Sequence, residues 1–201
     1  MIKRNLLVMG LAVLLSACGF HLRGTDTNAL TVKDMNLSAR DAYGPTVTQL
    51  RNVMKNSGVN VSASAPYELV LTSESETQRA ASYAGAGRSV DYELSTVLSY
   101  TIQGRNNAPL LSDKLEVQKI YSYDGNNITG SGQEAAQIRS EMRRELVQKM
   151  MSRLQMLSPA QLEQLQAKAD ERERAEALEV EAARRAQDAQ PQQSPLEFPA
   201  K

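Results

Sequence analysis

The feature that most constrains this chain is an alternation running from Ser89 to Gln103. Val90, Tyr92, Leu94, Thr96, Leu98, Tyr100 and Ile102 share one parity, and Asp91, Glu93, Ser95, Ser99, Thr101 and Gln103 share the other. Val97 is the single apolar exception. Successive side chains of a strand point to opposite faces, so this pattern predicts a strand buried on one face and wetted on the other. A helix cannot satisfy it, because 3.6 residues per turn would spread the apolar side chains around the whole cylinder.

Two further stretches repeat the pattern. Tyr67, Leu69 and Leu71 alternate with Glu68, Val70 and Thr72, and Leu115, Val117, Tyr121 and Tyr123 alternate with Glu116, Gln118 and Ser122. Gly104-Arg105-Asn106-Asn107 with Pro109 supplies turn chemistry, which predicts a hairpin between the long strand and the last one. An earlier strand is expected within residues 30–37, and Phe20-His21-Leu22-Arg23 reads as extended.

Two amphipathic helices punctuate the strands. Pro45 suits a first helical position, Val47, Leu50, Val53 and Met54 form a stripe, and Gly58 supplies a C-terminal cap. In the second, Ser131-Gly132-Gln133-Glu134 has capping-box spacing, and Ala135, Ile138, Met142, Leu146, Val147, Met150, Met151, Leu154 and Leu157 keep helical spacing. Ser158-Pro159 ends that helix and starts another. The order β-α-β-β-β-α predicts an α/β (α+β) two-layer sandwich: a roughly four-stranded sheet with two helices on one face and a polar opposite face. Without Trp, and with Phe only at 20 and 198, the core must come from Leu, Val, Met and Tyr. Met142, Met150, Met151 and Met156 therefore read as core filler.

The N-terminus carries an export pattern. Lys3 and Arg4 precede the apolar run Leu6 to Leu15, and Leu15-Ser16-Ala17-Cys18 follows. Roughly ten apolar residues are too few to cross a bilayer core of about 30 Å. The tetrapeptide resembles a bacterial lipobox, which implies cleavage before Cys18 and acylation of its thiol; the competing reading is an ordinary cleavage site with an incidental cysteine. Multiple acyl chains would hold the protein firmly to its membrane. Gly19 rather than Asp follows the cysteine, which in enteric-type lipoproteins points to the outer membrane. The expected division is therefore a signal peptide over 1–17, a folded domain over 18–157 and an extension over 158–201.

Removing residues 1–17 takes away Lys3 and Arg4 and leaves 21 basic against 23 acidic residues, a formal charge of −2. No strong field recruits nucleic acid. With Cys18 acylated, no thiol remains for a disulfide, a zinc site or a nucleophile. His21 is the only histidine and lies beside the anchor, so no Ser-His-acid set can be assembled. The expectation is a non-enzymatic protein without cofactor or metal. Gly85-Ala86-Gly87-Arg88 precedes a strand instead of joining a strand to a helix, so it fails the structural test for a phosphate loop. Arg88 at the end of this small-residue loop reads either as a solvated hairpin cation or as a bidentate phosphate grip. Arg139, Arg143, Arg144, Lys149 and Arg153 read as helix-surface charges paired with Glu141 and Glu145. The extension is charged nearly all round to about Gln190 and ends with Pro191, Pro195 and Pro199, which suits a solvated helix followed by a disordered end.

Taken together, Cys18-Gly19-Phe20-His21-Leu22-Arg23-Gly24, Asn56-Ser57-Gly58-Val59, Asp91-Tyr92-Glu93 and the element order resemble the LptE family of lipopolysaccharide-assembly lipoproteins over residues 1–157. The resemblance implies a protein that plugs a large outer-membrane β-barrel of LptD type, one to one, and helps it assemble and deliver lipopolysaccharide. Some members bind lipopolysaccharide itself through basic residues in the loop before the long strand and near the last helix. Arg88 is the nearest basic residue in that loop, whereas Ser131-Gly132-Gln133 offers no lysine at the helix. The implied location is the outer membrane, with the domain in the barrel lumen or on its periplasmic side. The rival expectation is a free-standing outer-membrane lipoprotein that binds peptidoglycan or an envelope enzyme through its charged tail.

Overall fold

A computed structural model describes residues 31–82 and 89–189. The chain forms β1 (Asn36–Ala39), α1 (Pro45–Asn56), β2 (Glu68–Ala80), β3 (Ser89–Gln103), β4 (Pro109–Asp124), α2 (Ile128–Gln155) and α3 (Pro159–Asp188). The sheet order is β1-β2-β3-β4. β1 runs parallel to β2, as α1 between them requires, and the remaining pairs are antiparallel. This is the α+β two-layer arrangement that the alternation implies.

β3 lies at the centre, and its parity divides the molecule. Leu94, Leu98 and Ile102 are at most 1% exposed and pack beneath Leu50 and Met54 of α1 and Met142, Leu146 and Met150 of α2. At about 1.5–3 kcal/mol for each fully buried side chain, this seam is the main driving force for closing the helices onto the sheet. Met151 is buried as well, but Met156 lies beyond the helix and is exposed. The hairpin forms where the turn residues stand: Gln103 pairs with Pro109, and Asn106 and Asn107 each take φ 57°, which asparagine tolerates better than most residues. α1 begins with Pro45 in its first turn and ends at a Ser57 cap, with Gly58 at φ 81°.

Three local expectations are revised. The first strand covers Asn36–Ala39 and overlaps the 30–37 window only at its end; Val32 and Met35 are buried from non-strand chain, apart from an Asp34–Asn60 bridge. β2 continues to Ala80, far past Thr72, although Thr72–Arg79 are exposed. Pairing with the main chain of β3, not apolar patterning, holds that segment. A bulge between Leu71 and Ser73 flips its parity, so Glu74, Glu76 and Gln78 face the helix side. Finally, α2 starts one turn early at an Asn127 cap whose side chain accepts from Gly130 N at 3.0 Å. Ser131 is then inside the helix, where its hydroxyl accepts from Asp124 N at 2.9 Å and ties β4 to α2. The capping box occurs instead at Ser158 and Gln161, opening α3.

The composition changes at residue 158, but packing continues beyond it. Leu162 is fully buried and Gln166 is 4% exposed. Gln166 Oε1 accepts from Arg105 N at 2.9 Å, and Arg105 pairs with Asp170 at 3.1 Å. The first three turns of α3 thus dock on the β3–β4 turn. From Glu171 onward every side chain of the helix is exposed.

Candidate functional site

Helices cover one face of the sheet, so the open face is the candidate surface. β2 contributes Ser73, Ser75, Thr77 and Arg79; opposite them on β3 stand Ser99, Val97, Ser95 and Glu93. β4 adds Ser112, Lys114, Glu116, Gln118, Ile120 and Ser122. Short hydroxyl and amide side chains dominate, and Arg79 and Glu93 are paired across the strands. Arg79 Nε and Nη2 donate to Glu93 Oε1 and Oε2 at 2.9 and 3.0 Å, which holds the guanidinium above its usual range. Glu116 accepts from Gln118 at 2.6 Å and from Ser95 at 2.9 Å. Those two hydrogen bonds, helped by Lys114 and Lys149, hold its carboxyl below the usual range. Thr101 and Ser112 share a hydroxyl–hydroxyl bond of 2.9 Å. Such a face suits water and polar partners and offers little to acyl chains.

The base of the loop that carries Arg88 is tied by Asp91. Its carbonyl accepts from Ala81 N at 2.7 Å, its Oδ1 from Ser122 at 2.6 Å and its Oδ2 from Ser82 at 3.2 Å. Tyr92, on the helix side, stacks on Tyr121 and meets Tyr123 edge-on, each with ring centroids 5.9 Å apart. Asp91-Tyr92-Glu93 therefore joins three strands through three different interactions: hydrogen bonds, ring contacts and an ion pair. Arg88 and Cys18 themselves lie outside the described residues, as do His21 and the segment 19–24.

The helix cations do not all remain on their helix as expected. Arg139 pairs with Glu76 of β2 at 2.7 Å, and Arg153 lies 3.8 Å from Asp113 of β4. Lys149 makes the local pair with Glu145 at 3.3 Å but also donates to Glu116 O at 2.8 Å. They act as straps from the helical layer to the sheet. Among the described residues no group of three or more His, Cys, Asp or Glu side chains is placed to hold a metal. No helix there is long and apolar enough to cross a membrane.

Comparison with known proteins places this architecture. The family model LptE: Lipopolysaccharide-assembly matches residues 32–154. The LPS-assembly lipoprotein LptE of Pectobacterium atrosepticum is 29% identical over 164 residues, covering 77% of this chain and 86% of that protein. The protein of the same name from Yersinia pestis is 27% identical over 173 residues, 82% of this chain and 81% of its own length. Among solved structures, the rare lipoprotein B of Shewanella oneidensis superposes with a TM-score of 0.55 at 19% identity, covering 60% of this chain and 92% of that one. An uncharacterized lipoprotein B of Nitrosomonas europaea gives 0.56 at 19% identity, covering 66% and 88%.

Proposed function

The chain belongs to the LptE lipopolysaccharide-assembly family, and from that premise we propose that it is the lipid-anchored plug of an LptD-type outer-membrane β-barrel. In that role it helps the barrel assemble and takes part in delivering lipopolysaccharide to the outer leaflet, without catalysis. The observation that carries the reading, beyond membership, is the open sheet face, where hydroxyls, amides and the Arg79–Glu93 pair form a surface matched to a hydrated lumen. A greasy surface there would demand a dry interface; this one tolerates trapped water.

Cys18 is the proposed acylation site, and the outer membrane the proposed destination. Arg88 is the proposed lipopolysaccharide contact, at the end of a loop whose base Asp91 secures. Affinity purification from detergent-solubilised outer membrane tests the plug role: a large β-barrel should be recovered in roughly equal amount. Its absence sinks the proposal. Truncation after Asp170 separates the plug from a free-standing lipoprotein acting through its tail, because it leaves Leu162 and Gln166 in place and, among the described residues, removes only exposed ones. A plug keeps its barrel; a tail-dependent protein loses its partner. Replacing Arg88 by Glu should weaken lipopolysaccharide binding, and unchanged affinity at low salt excludes that loop.

A further inference from the structure

The two edges of the sheet are treated differently. On β4, Lys149 reaches down from α2 and donates to the carbonyl of Glu116, closing part of that edge. On β2, pairing with β1 stops at Leu71, whose carbonyl accepts from Arg40 N at 3.2 Å. Beyond it, among the described residues, no main-chain group bonds the outer side of Ser73–Ala80. The register identifies which groups stand free. Ala81 N donates to Asp91 O, and residues of an antiparallel pair alternate between inward and outward main-chain groups. Ser75, Thr77 and Arg79 therefore bond β3, while Glu74, Glu76, Gln78 and Ala80 present N–H and C=O outward.

Edges this long are usually blunted by Lys, Pro or inward charges. Residues 72–80 contain neither Lys nor Pro. Their two inward carboxylates, the one such device they carry, are engaged by the body of the protein, Glu74 accepting from Thr46 at 2.9 Å and Glu76 pairing with Arg139. The bulge past Leu71 leaves a cleft of about 540 Å³ at the head of the free edge, with Val47, Leu71 and Leu98 at its floor and Arg40 and Glu74 at its rim. A strand laid in line with β1 would pass over this cleft, where an apolar side chain finds room.

We propose that the Ser73–Ala80 edge of β2 is a strand-addition site for an extended, non-wall segment of the barrel partner, with one apolar side chain of that segment seated in the cleft. The inference rests on the plug reading and names where the partner is gripped. Ladder bonds supply affinity in this recognition mode, and the cleft supplies register. Among the described residues, Thr31 leads into β1, which starts opposite Glu68, and α3 docks at the β3–β4 turn, both at the other end of the sheet.

Amide hydrogen exchange of the full lipoprotein in detergent, alone and in its barrel complex, tests the site. The amides of Glu74, Glu76, Gln78 and Ala80 should exchange freely alone and slow by about 100-fold or more in the complex. Slow exchange in the lipoprotein alone, meaning that another part of the chain or a second copy covers the edge, overturns the proposal. Gln78→Ala removes the side-chain bond to Tyr121 and keeps the N–H, whereas Gln78→Pro removes that same bond and the outward N–H as well, so the difference between the two reads the N–H alone. The proline variant should lose barrel recovery by about 10-fold and the alanine variant should keep it; equal recovery refutes the site. Unchanged exchange in a complex that does form overturns strand addition and leaves the plug reading standing. Failure of the unmodified chain to recover a barrel overturns both.

Discussion

Substituting Gly104 tests whether α3 belongs to the folded body. Gly104 has φ −107° and ψ −150°, so an L-residue fits its backbone without strain. The obstacle is spatial: a Cβ would stand 1.8 Å from Gln166 Oε1 and 3.0 Å from Leu110 Cδ1. Gly104→Ala therefore has to expel the Gln166 amide, and with it the bond to Arg105 N. Leaving a half-buried N–H unsatisfied costs about 1–3 kcal/mol, and we take about 2 for this one. Gln166→Ala deletes the same bond and costs about the same. The double variant has no amide left to expel, so its cost should also be about 2 kcal/mol, half the sum of the single effects. Urea unfolding of a non-lipidated chain starting at Gly19 resolves this: with an m-value of about 2 kcal/mol per molar, each variant shifts the midpoint by about 1 M. Single effects that add to within about 0.5 kcal/mol would refute the shared contact. If α3 were merely an appended tail, both single variants would be silent.

Other expectations follow from the same contacts. Ser131→Ala should cost about 1–2 kcal/mol in thermal unfolding through the lost tie to Asp124, while Glu134→Ala should stay within about 0.5; the reverse order would restore the capping box at Ser131. Gly58→Ala should cost about 1 kcal/mol from its positive φ alone, since nothing lies within 4 Å of the added methyl; a neutral result in denaturant titration contradicts the cap. The Glu116 and Asp170 carboxyls are both held below their usual range, Glu116 by Gln118 and then Ser95, Asp170 by Gln166 and then Arg105. Because both folded pKa values are depressed, their stabilisation is present above the unfolded carboxylate range of about 4 and is lost as pH falls through the depressed values. Glu116→Gln and Asp170→Asn should each flatten the acid limb of a stability–pH curve, and an unaltered slope would argue against these hydrogen bonds.

Much of the architecture is legible along the chain, because burial of one sheet face imprints a period of two and burial of one helix face a period near 3.6. The parity of β3, the stripe of α1, the Gly58 cap, the β3–β4 turn and the polar character of the open face all follow from such local patterns. Asn127 was hidden because a capping box with better sequence credentials stands four residues later; only the approach of Asp124 draws the Ser131 hydroxyl into a different bond. At the candidate site, the role of Asp91-Tyr92-Glu93 was visible as a resemblance, while its physical basis required knowing that Ser82, Arg79, Tyr121 and Ser122 lie across from it.

Local periodicities suffice for the layers and the buried faces, and the matching motifs for the family. Three things that no periodicity records come from contacts between distant segments. Polar residues 73–80 become a strand because the main chain of β3 offers partners, and backbone pairing is blind to side-chain hydropathy. A one-residue bulge then sends Glu74 and Glu76 toward the helices and, among the described residues, leaves four outward main-chain positions without a partner. The folded body ends inside α3 and not at the compositional break, since Leu162 and Gln166 are held by a turn some sixty residues earlier in the chain. Each of these depends on contacts between distant segments, and such contacts leave little local pattern in the residues that make them.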